Sequence, residues 1–149
     1  MGSTKQLEYL TDKDWTLVLH KAQTLTFRPG EEIIRQGSQS GMIYFIRAGL
    51  ASVRATTAGG TSDIAMLGPD DICGEMAFLE NGAATAAVIA KEQVTVAAIT
   101  VKELQELFET FPGIASRFYR SLALALARRL RETSRQLVLS RSRPSLDKQ

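Results

Sequence analysis

The sequence contains one cysteine and one histidine in 149 residues, Cys73 and His20. This scarcity excludes a structural zinc site and an iron–sulfur cluster, because both need several Cys or His ligands. It also argues against a metal enzyme on a small barrel, which needs several converging ligands, so no catalytic residue or metal site is predicted. We expect His20 on a helix surface and Cys73 as a buried thiol without a redox role.

Long apolar runs are absent as well. No stretch of about 18 apolar residues occurs, so no membrane-spanning helix is predicted. Neither an export signal nor paired cysteines are visible, and a cytoplasmic location is therefore expected. The composition, 44% hydrophobic and 23% charged, is typical of one globular domain, which we place at residues 10–139. Residues 1–9 are expected to be a tag or flexible N-terminus, and residues 140–149 a disordered basic and polar tail.

Acidic residues are rare in the C-terminal part of the chain. Residues 117–143 carry eight arginines against one acid, Glu132, whereas residues 1–116 carry nine Lys or Arg against fourteen Asp or Glu. A basic stretch of this kind suits nucleic acid, an anionic membrane or the solvated face of one amphipathic helix. Because arginine alternates here with leucine and alanine, the helix interpretation is favoured.

Residues 25–99 carry the pattern of short β-strands. Apolar segments are separated by turn signals such as Pro29-Gly30, Ala58-Gly59-Gly60 and Gly68-Pro69-Asp70-Asp71. Turn signals every eight to twelve residues predict an antiparallel sandwich or barrel. The apolar residues 86–99, interrupted by Lys91-Glu92-Gln93, predict two further strands.

Helices are predicted on both sides of the strands. Thr11 with Asp14, and Thr100 with Glu103, form capping boxes that begin the first two helices. A long helix is predicted over residues 114–139. Its apolar stripe consists of Ile114, Phe118, Leu122, Leu126, Leu130, Thr133 and Leu137. Because the barrel alone cannot cover so long a stripe, we expect a parallel homodimer through this helix.

The segment after Cys73 is the candidate for binding chemistry. Gly74 and Glu75 lie between two predicted strands and open a short helix-like segment. Backbone N–H groups at such a start suit a phosphate, and the carboxylate can accept hydrogen bonds from a ribose. The alternative is a helical turn inside a strand connection, with Glu75 simply solvated. The residues by themselves leave both interpretations open.

Several short motifs follow one another along the chain. They are Phe27-Arg28-Pro29-Gly30-Glu31, Arg35-Gln36-Gly37, Tyr44-Phe45-Ile46, Gly49, Leu67-Gly68-Pro69-Asp70, Gly74-Glu75-Met76-Ala77, Ala127-Arg128-Arg129-Leu130 and Thr133-Ser134. Together they make the chain similar to the cyclic nucleotide-binding domain of bacterial catabolite activators, gated channels and kinase regulatory subunits. The resemblance covers roughly residues 10–139. It implies an α+β, mainly β fold: a small antiparallel β-barrel or jelly roll, flanked by an N-terminal helix and a long C-terminal helix.

The resemblance also implies a role for each candidate site residue. Glu75 would bind the ribose 2′-hydroxyl, Arg129 would steady Glu75 or the base, and Thr133 would reach the base edge. The N–H groups around Gly74 would approach the sugar and phosphate, and a partner helix would contribute Ser134. The implied ligand-binding set is Ile64, Leu67, Gly74, Glu75, Met76, Ala77, Thr85, Ala86, Arg129, Thr133 and Ser134.

One position departs from the family pattern. The family places an arginine against the cyclic phosphate where this chain has Thr85, followed here by Ala86, and residues 76–90 contain no Lys or Arg. Losing such a charged contact costs on the order of 2–5 kcal/mol, which is about 30- to several thousand-fold in affinity. The expected function is therefore a non-enzymatic regulatory sensor that binds cyclic AMP or cyclic GMP weakly or atypically and signals through its C-terminal helix and dimer.

Three alternatives to this function stay open. The pocket could bind a different small ligand, or the chain could be a ligand-free dimerising scaffold, or the sensor half of a larger transcription regulator, transporter or channel. In the resembling activators a helix-turn-helix domain follows the long helix. Only about ten residues follow Leu139 here, so no specific DNA binding by this chain alone is expected.

Overall fold

Eight strands and four helices make up the computed structural model, which describes residues 7–80 and 82–142. The strands are β1 (Gln23–Phe27), β2 (Glu32–Ile34), β3 (Met42–Ala48), β4 (Ala51–Thr57), β5 (Gly60–Leu67), β6 (Ile72–Cys73), β7 (Ala87–Ala90) and β8 (Val94–Thr100). They form two antiparallel four-stranded sheets, with the orders β1-β8-β3-β6 and β2-β7-β4-β5. The predicted mainly β jelly roll is confirmed.

The central strands β3 and β8 are buried on both faces. Ile43 and Phe45 belong to a core shared with the helices, whereas Tyr44 and Ile46 belong to a second core between the two sheets. Alternate side chains of a strand point to opposite faces, so a strand covered on both sides must be apolar at nearly every position. This explains the apolar runs at residues 42–46 of β3 and 96–99 of β8.

The helices are α1 (Asp12–Lys21), α2 (Glu75–Glu80), α3 (Val101–Thr110) and α4 (Pro112–Ser142). Both predicted capping boxes are confirmed: the hydroxyl of Thr11 accepts from the Asp14 N–H, and that of Thr100 from the Glu103 N–H. Each capping carboxylate accepts in return from the backbone N–H of its threonine. These contacts satisfy N–H groups that have no partner inside the helix.

The long helix α4 is covered only along its first half. Phe118 and Leu122 are buried in the core, but Leu130 is 68% and Leu137 54% exposed. The helix begins at Pro112, because proline suits the first helical position. It ends at Ser142, three residues beyond the predicted boundary, so residues 140–142 are helical and not part of a disordered tail. The rest of that predicted tail, residues 143–149, lies outside the described residues.

The N-terminal segment before α1 is packed against α4. Leu7 is 1% exposed, the Tyr9 N–H donates to the Ser121 hydroxyl over 2.9 Å, and Glu8 forms a 2.7 Å ion pair with Arg128. For residues 7–9 the prediction of a flexible terminus is therefore wrong, because a buried leucine and two polar contacts hold them to the helix. Residues 1–6 lie outside the described part of the chain.

Candidate functional site

A cavity of about 340 Å³ lies between the second sheet, α2 and α4. This volume is within the range of about 300–1,000 Å³ that is usual for small-molecule sites. Most of its lining side chains are apolar, and a few are polar or charged. The lining residues are Ile34, Ser38, Ser40, Met42, Val53, Ile64, Ala65, Leu67, Ile72, Cys73, Gly74, Glu75, Gly82, Ala84, Thr85, Ala86, Val88, Leu126, Arg129 and Thr133.

Gly74 sets the start of α2 at one end of the cavity. Its φ is +88°, and a Cβ built there would lie 2.5 Å from the Met42 carbonyl oxygen. Only glycine accepts both this left-handed conformation and so close a backbone approach. The chain can therefore turn directly from β6 into α2, which brings Glu75 to the cavity wall.

Glu75 is buried and held by a residue of α4. Its side chain is 8% exposed, and its Oε2 accepts a hydrogen bond from Arg129 Nη1 over 3.1 Å. A buried carboxylate needs such a charged donor, because desolvation would otherwise disfavour its ionised form. The alternative of a solvated Glu75 is therefore wrong. The pair also connects α2 to a helix 54 residues further along the chain.

One face of α4 closes the cavity. Leu126, Arg129 and Thr133 all line it, and their spacings of three and four place them on the same side of a helix. Arg129 and Thr133 are exposed on their outer side, whereas Leu126 is half-buried. A ligand in this cavity would thus meet the barrel on one side and the second half of α4 on the other.

The β4–β5 hairpin forms the apolar side of the cavity. Leu67 is 6% exposed, whereas Ile64 is 60% exposed at the mouth. Ile64 lies where the register between β4 and β5 shifts, because Val53 pairs with Ala65 but Arg54 pairs with Asp63. A bulge of this kind redirects a side chain, here toward the opening of the cavity.

Thr85 and Ala86 line the cavity from the loop before β7. Thr85 is exposed and Ala86 half-buried. Two backbone hydrogen bonds join this loop to residues 35–41 between β2 and β3, the Ser38 loop. The Gly37 N–H donates to the Ala84 carbonyl over 2.8 Å, and the Ala84 N–H donates to the Ser38 carbonyl over 2.9 Å. No cationic side chain from the described part of this loop reaches the cavity, since its sequence contains no Lys or Arg.

Cys73 lies on the cavity wall as a buried free thiol. Burial, with the nearby Glu75 carboxylate adding to it, raises the pKa of this thiol far above its usual value. The thiol is therefore neutral at physiological pH, as the sequence indicates. His20 is exposed on α1, which also confirms its prediction.

The structure brings eight of the eleven predicted site residues to one cavity. Met76 and Ala77 lie in α2, and Ser134 is exposed on α4 outside the lining. The roles assigned to all eleven stay predictions. Sequence reasoning missed Ser38 and Ser40, although the polar loop between β2 and β3 contains both.

The sequence of the chain matches a known protein family. A model of the family described as "Cyclic nucleotide-binding domain" matches residues 24–111, more than half of the chain. The chain belongs to the cyclic nucleotide-binding domain family. It is a domain of the regulatory type, and this family is generally non-catalytic. The resemblance inferred from the motifs is thereby confirmed.

Several proteins are similar to this domain. The cyclic AMP receptor protein of Thermus thermophilus is 30% identical over 131 residues, which cover 87% of this chain and 59% of that protein. Cyclic GMP-binding protein C of Dictyostelium discoideum is 28% identical over 123 residues, 82% of this chain but 5% of that protein. The domain thus spans less than two thirds of either relative.

A solved structure supports the same fold. The cyclic nucleotide-binding domain from Methylobacillus flagellatus superimposes with a TM-score of 0.81, at 20% identity, and covers 92% of this chain and 77% of that one. Within residues 7–80 and 82–142, no helix combines the length and apolarity needed to cross a membrane. The same residues hold no group of three or more His, Cys, Asp or Glu side chains placed to bind a metal ion.

Proposed function

We propose that this domain is a sensor that captures a cyclic nucleotide in the cavity and passes the event on through α4. The observation that carries the proposal is the 3.1 Å pair between Glu75 and Arg129, with Thr133 lining the same cavity. A ligand whose ribose hydroxyl reaches Glu75 must also meet α4. Occupation of the cavity is therefore coupled to the position of that helix.

Binding of cyclic AMP or cyclic GMP is expected to be weak. Glu75 supplies an acceptor for a ribose hydroxyl, and Leu67 and Val88 supply apolar surface for the base. The phosphate, however, would meet the Thr85 hydroxyl instead of a guanidinium. A neutral hydroxyl gives one hydrogen bond, whereas an arginine gives two charge-assisted ones.

Calorimetric titration with cyclic AMP and cyclic GMP tests this proposal. The unmodified chain is compared with Thr85→Arg, and with Thr85→Gln as a control of similar length without charge. We expect weak binding by the unmodified chain and a gain of at least about 30-fold in Thr85→Arg alone. Low-micromolar binding by the unmodified chain would contradict the weak phosphate contact. No binding by any of the three proteins would refute the nucleotide site.

The coupling to α4 has its own measurement. Hydrogen exchange of the amides in residues 122–139 should slow when ligand binds, because a filled cavity gives Arg129 and Thr133 a further partner. The same experiment on Glu75→Gln, in which the charged pair is lost, should show little change. Slowing of equal size in both proteins would show that protection of the helix does not depend on the Glu75 contact, and would contradict the proposed coupling.

A dimer through α4 is the second part of the proposed function. Four large apolar side chains on the uncovered half of the helix support it, each more than half exposed: Leu130, Leu137, Val138 and Leu139. Sedimentation velocity should give a dimer for the unmodified chain and a monomer for Leu130→Glu. A dimer without any nucleotide binding would favour the scaffold alternative. The absence of specific DNA binding and a cytoplasmic location stay predictions.

A further inference from the structure

We propose that the cavity prefers an uncharged ribose-bearing ligand, of the nucleoside class, to the corresponding cyclic nucleotide. The inference rests on the proposed function, because it assigns a ligand class to the same cavity and to the same ribose partner, Glu75. It goes further, because it makes the phosphate charge itself the unfavourable part of a cyclic nucleotide at this site.

The charges that line the cavity cancel. Among the described lining residues only Glu75 and Arg129 are charged, and they pair with each other over 3.1 Å. Arg129 donates to Glu75 from Nη1 only, so a phosphate could reach its other N–H groups, but it would share a guanidinium whose charge the Glu75 carboxylate already offsets. The phosphate would also lie beside that carboxylate, which is 8% exposed, and two anions in a site of low polarity repel each other. Arg129 is therefore a weaker phosphate anchor than an unpaired arginine.

Three cations on or beside the second sheet also pair with carboxylates outside the cavity lining. Arg54 of β4 pairs with Asp63 over 2.8 Å, and Lys91 approaches the same carboxylate at 3.8 Å. Arg35 lies 3.8 Å from Glu32 with its side chain 80% exposed. None of these three cations lines the cavity. The positions that follow α2 cannot supply a replacement, because residues 76–90 contain no Lys or Arg.

The remaining polar groups of the lining suit a neutral ligand. Ser38, Ser40, Thr85 and Thr133 offer hydroxyls, and Cys73 offers a thiol that burial keeps protonated. Hydroxyls donate and accept single hydrogen bonds, which match sugar hydroxyls and base edges. They offset the loss of water around an anion less well than a guanidinium does, whereas a nucleoside enters without that loss. The apolar wall serves both ligands equally.

Two matched ligand pairs test the preference: adenosine against cyclic AMP, and guanosine against cyclic GMP. Calorimetry gives the ratio of the two dissociation constants for the unmodified chain and for Thr85→Arg, with Thr85→Gln as the uncharged control. Each nucleoside should bind the unmodified chain at least as tightly as its cyclic nucleotide. In Thr85→Arg the order should reverse, because the cyclic nucleotide gains on the order of 30-fold or more while the nucleoside is nearly unchanged. The 2′-deoxynucleosides should bind more weakly throughout, because they lack the hydroxyl that meets Glu75.

The outcomes separate this inference from the proposed function. If the unmodified chain binds a cyclic nucleotide tenfold more tightly than its nucleoside, the preference is refuted and the nucleotide sensor stands. If only Thr85→Arg binds, and binds cyclic nucleotide alone, the preference is refuted, and so is cyclic-nucleotide sensing by the unmodified chain. If neither ligand class binds any of the three proteins, and circular dichroism shows all three folded, both proposals fail together. An unchanged ratio in Thr85→Arg would also refute the inference, because the charge at that position would then have no effect.

Discussion

Replacing Asp14 by asparagine removes the charge that ties α1 to the start of α4. Asp14 is 3% exposed, and its carboxylate accepts three hydrogen bonds. Two come from Arg117, from Nε over 2.6 Å and from Nη2 over 2.8 Å, and the third from the Thr11 backbone N–H over 3.0 Å. The residue thus caps one helix and anchors another, 103 residues away in sequence.

The size of the loss follows from these contacts. Asparagine keeps one acceptor oxygen in place of two and turns an NH2 donor toward Arg117, so one of these contacts is lost together with the charge, and such a contact is worth about 1 kcal/mol. Breaking a fully buried charge pair costs about 3–5 kcal/mol, but the Arg117 side chain is 42% exposed and can return to water, so about 1–2 kcal/mol is the appropriate share. Asp14→Asn should therefore lower the free energy of unfolding by about 2–3 kcal/mol. At about 2–4 °C per kcal/mol for a chain of this size, Tm should fall by about 4–12 °C.

The pH dependence distinguishes the ion pair from a generic packing defect. Hydrogen bonds from Arg117 hold the pKa of Asp14 below its usual value of 3.8. A carboxyl group with a depressed pKa stabilises the fold above its unfolded pKa, and this contribution disappears as the pH falls through the folded pKa. The unmodified protein should therefore lose its advantage over Asp14→Asn below about pH 4, whereas the full difference is present at pH 7.

Urea denaturation at pH 7 and pH 3 measures both effects. Asp12→Asn is the matched control, because Asp12 is an exposed acid in the same first turn of α1. It should cost well under about 1 kcal/mol, the usual range for an exposed charge near a helix N-terminus. If Asp14→Asn costs no more than Asp12→Asn, or costs the same at both pH values, the argument from the ion pair is wrong.

Three further predictions concern the site and its support. Gly74→Ala should cost more than about 2 kcal/mol in thermal denaturation, because it combines a positive φ with a Cβ 2.5 Å from the Met42 oxygen. Cys73 should react with a thiol-specific disulfide reagent only as fast as the protein opens, since burial raises its pKa; rapid labelling of folded protein would contradict this. Leu7→Ala should cost about 2–4 kcal/mol by urea denaturation, because Leu7 is 1% exposed; a loss below 1 kcal/mol would mean that the N-terminal segment is not anchored.

Local sequence determines much of this fold. The strands β3 and β8 were predictable because burial on both faces requires a run of apolar residues. Both capping boxes were predictable because their partners are three residues apart, a distance that no tertiary contact alters. Features that depend on neighbours in sequence are therefore the ones that the pattern predicted correctly.

The packing of the N-terminal segment could not be predicted from local sequence. Its contacts run from Tyr9 to Ser121, 112 residues away, and from Glu8 to Arg128. No periodicity marks such contacts, because each is a single pair and not a repeating pattern. A lone Leu7 near a chain end gives no sign of whether it is buried.

The candidate site falls between these two cases. The position of Gly74 and Glu75 between strands indicated a candidate site. The contact of Glu75 with Arg129 was implied only by the family resemblance, since 54 residues separate these two side chains. The serines of the Ser38 loop were missed because a polar loop usually faces solvent, whereas here backbone hydrogen bonds to Ala84 hold it at the cavity. Local sequence thus indicated one wall of the cavity, and long-range packing supplied the others.

The contacts of α4 with the rest of the domain differ between its first part and the part that the proposed function assigns to signalling. Its first part is fixed to the core by Phe118 and Leu122 and to α1 by Arg117. Its next part makes two ion pairs with the rest of the described chain, Arg128 to Glu8 and Arg129 to Glu75, and residues 130–139 are exposed. The Arg128–Glu8 pair joins two partly exposed groups and is weak, whereas Arg129 pairs with the buried Glu75, so a ligand at Glu75 acts on the contact that contributes more to holding this part of the helix. Under the proposed function, a ligand that alters this one pair changes the position of the helix even when it binds weakly.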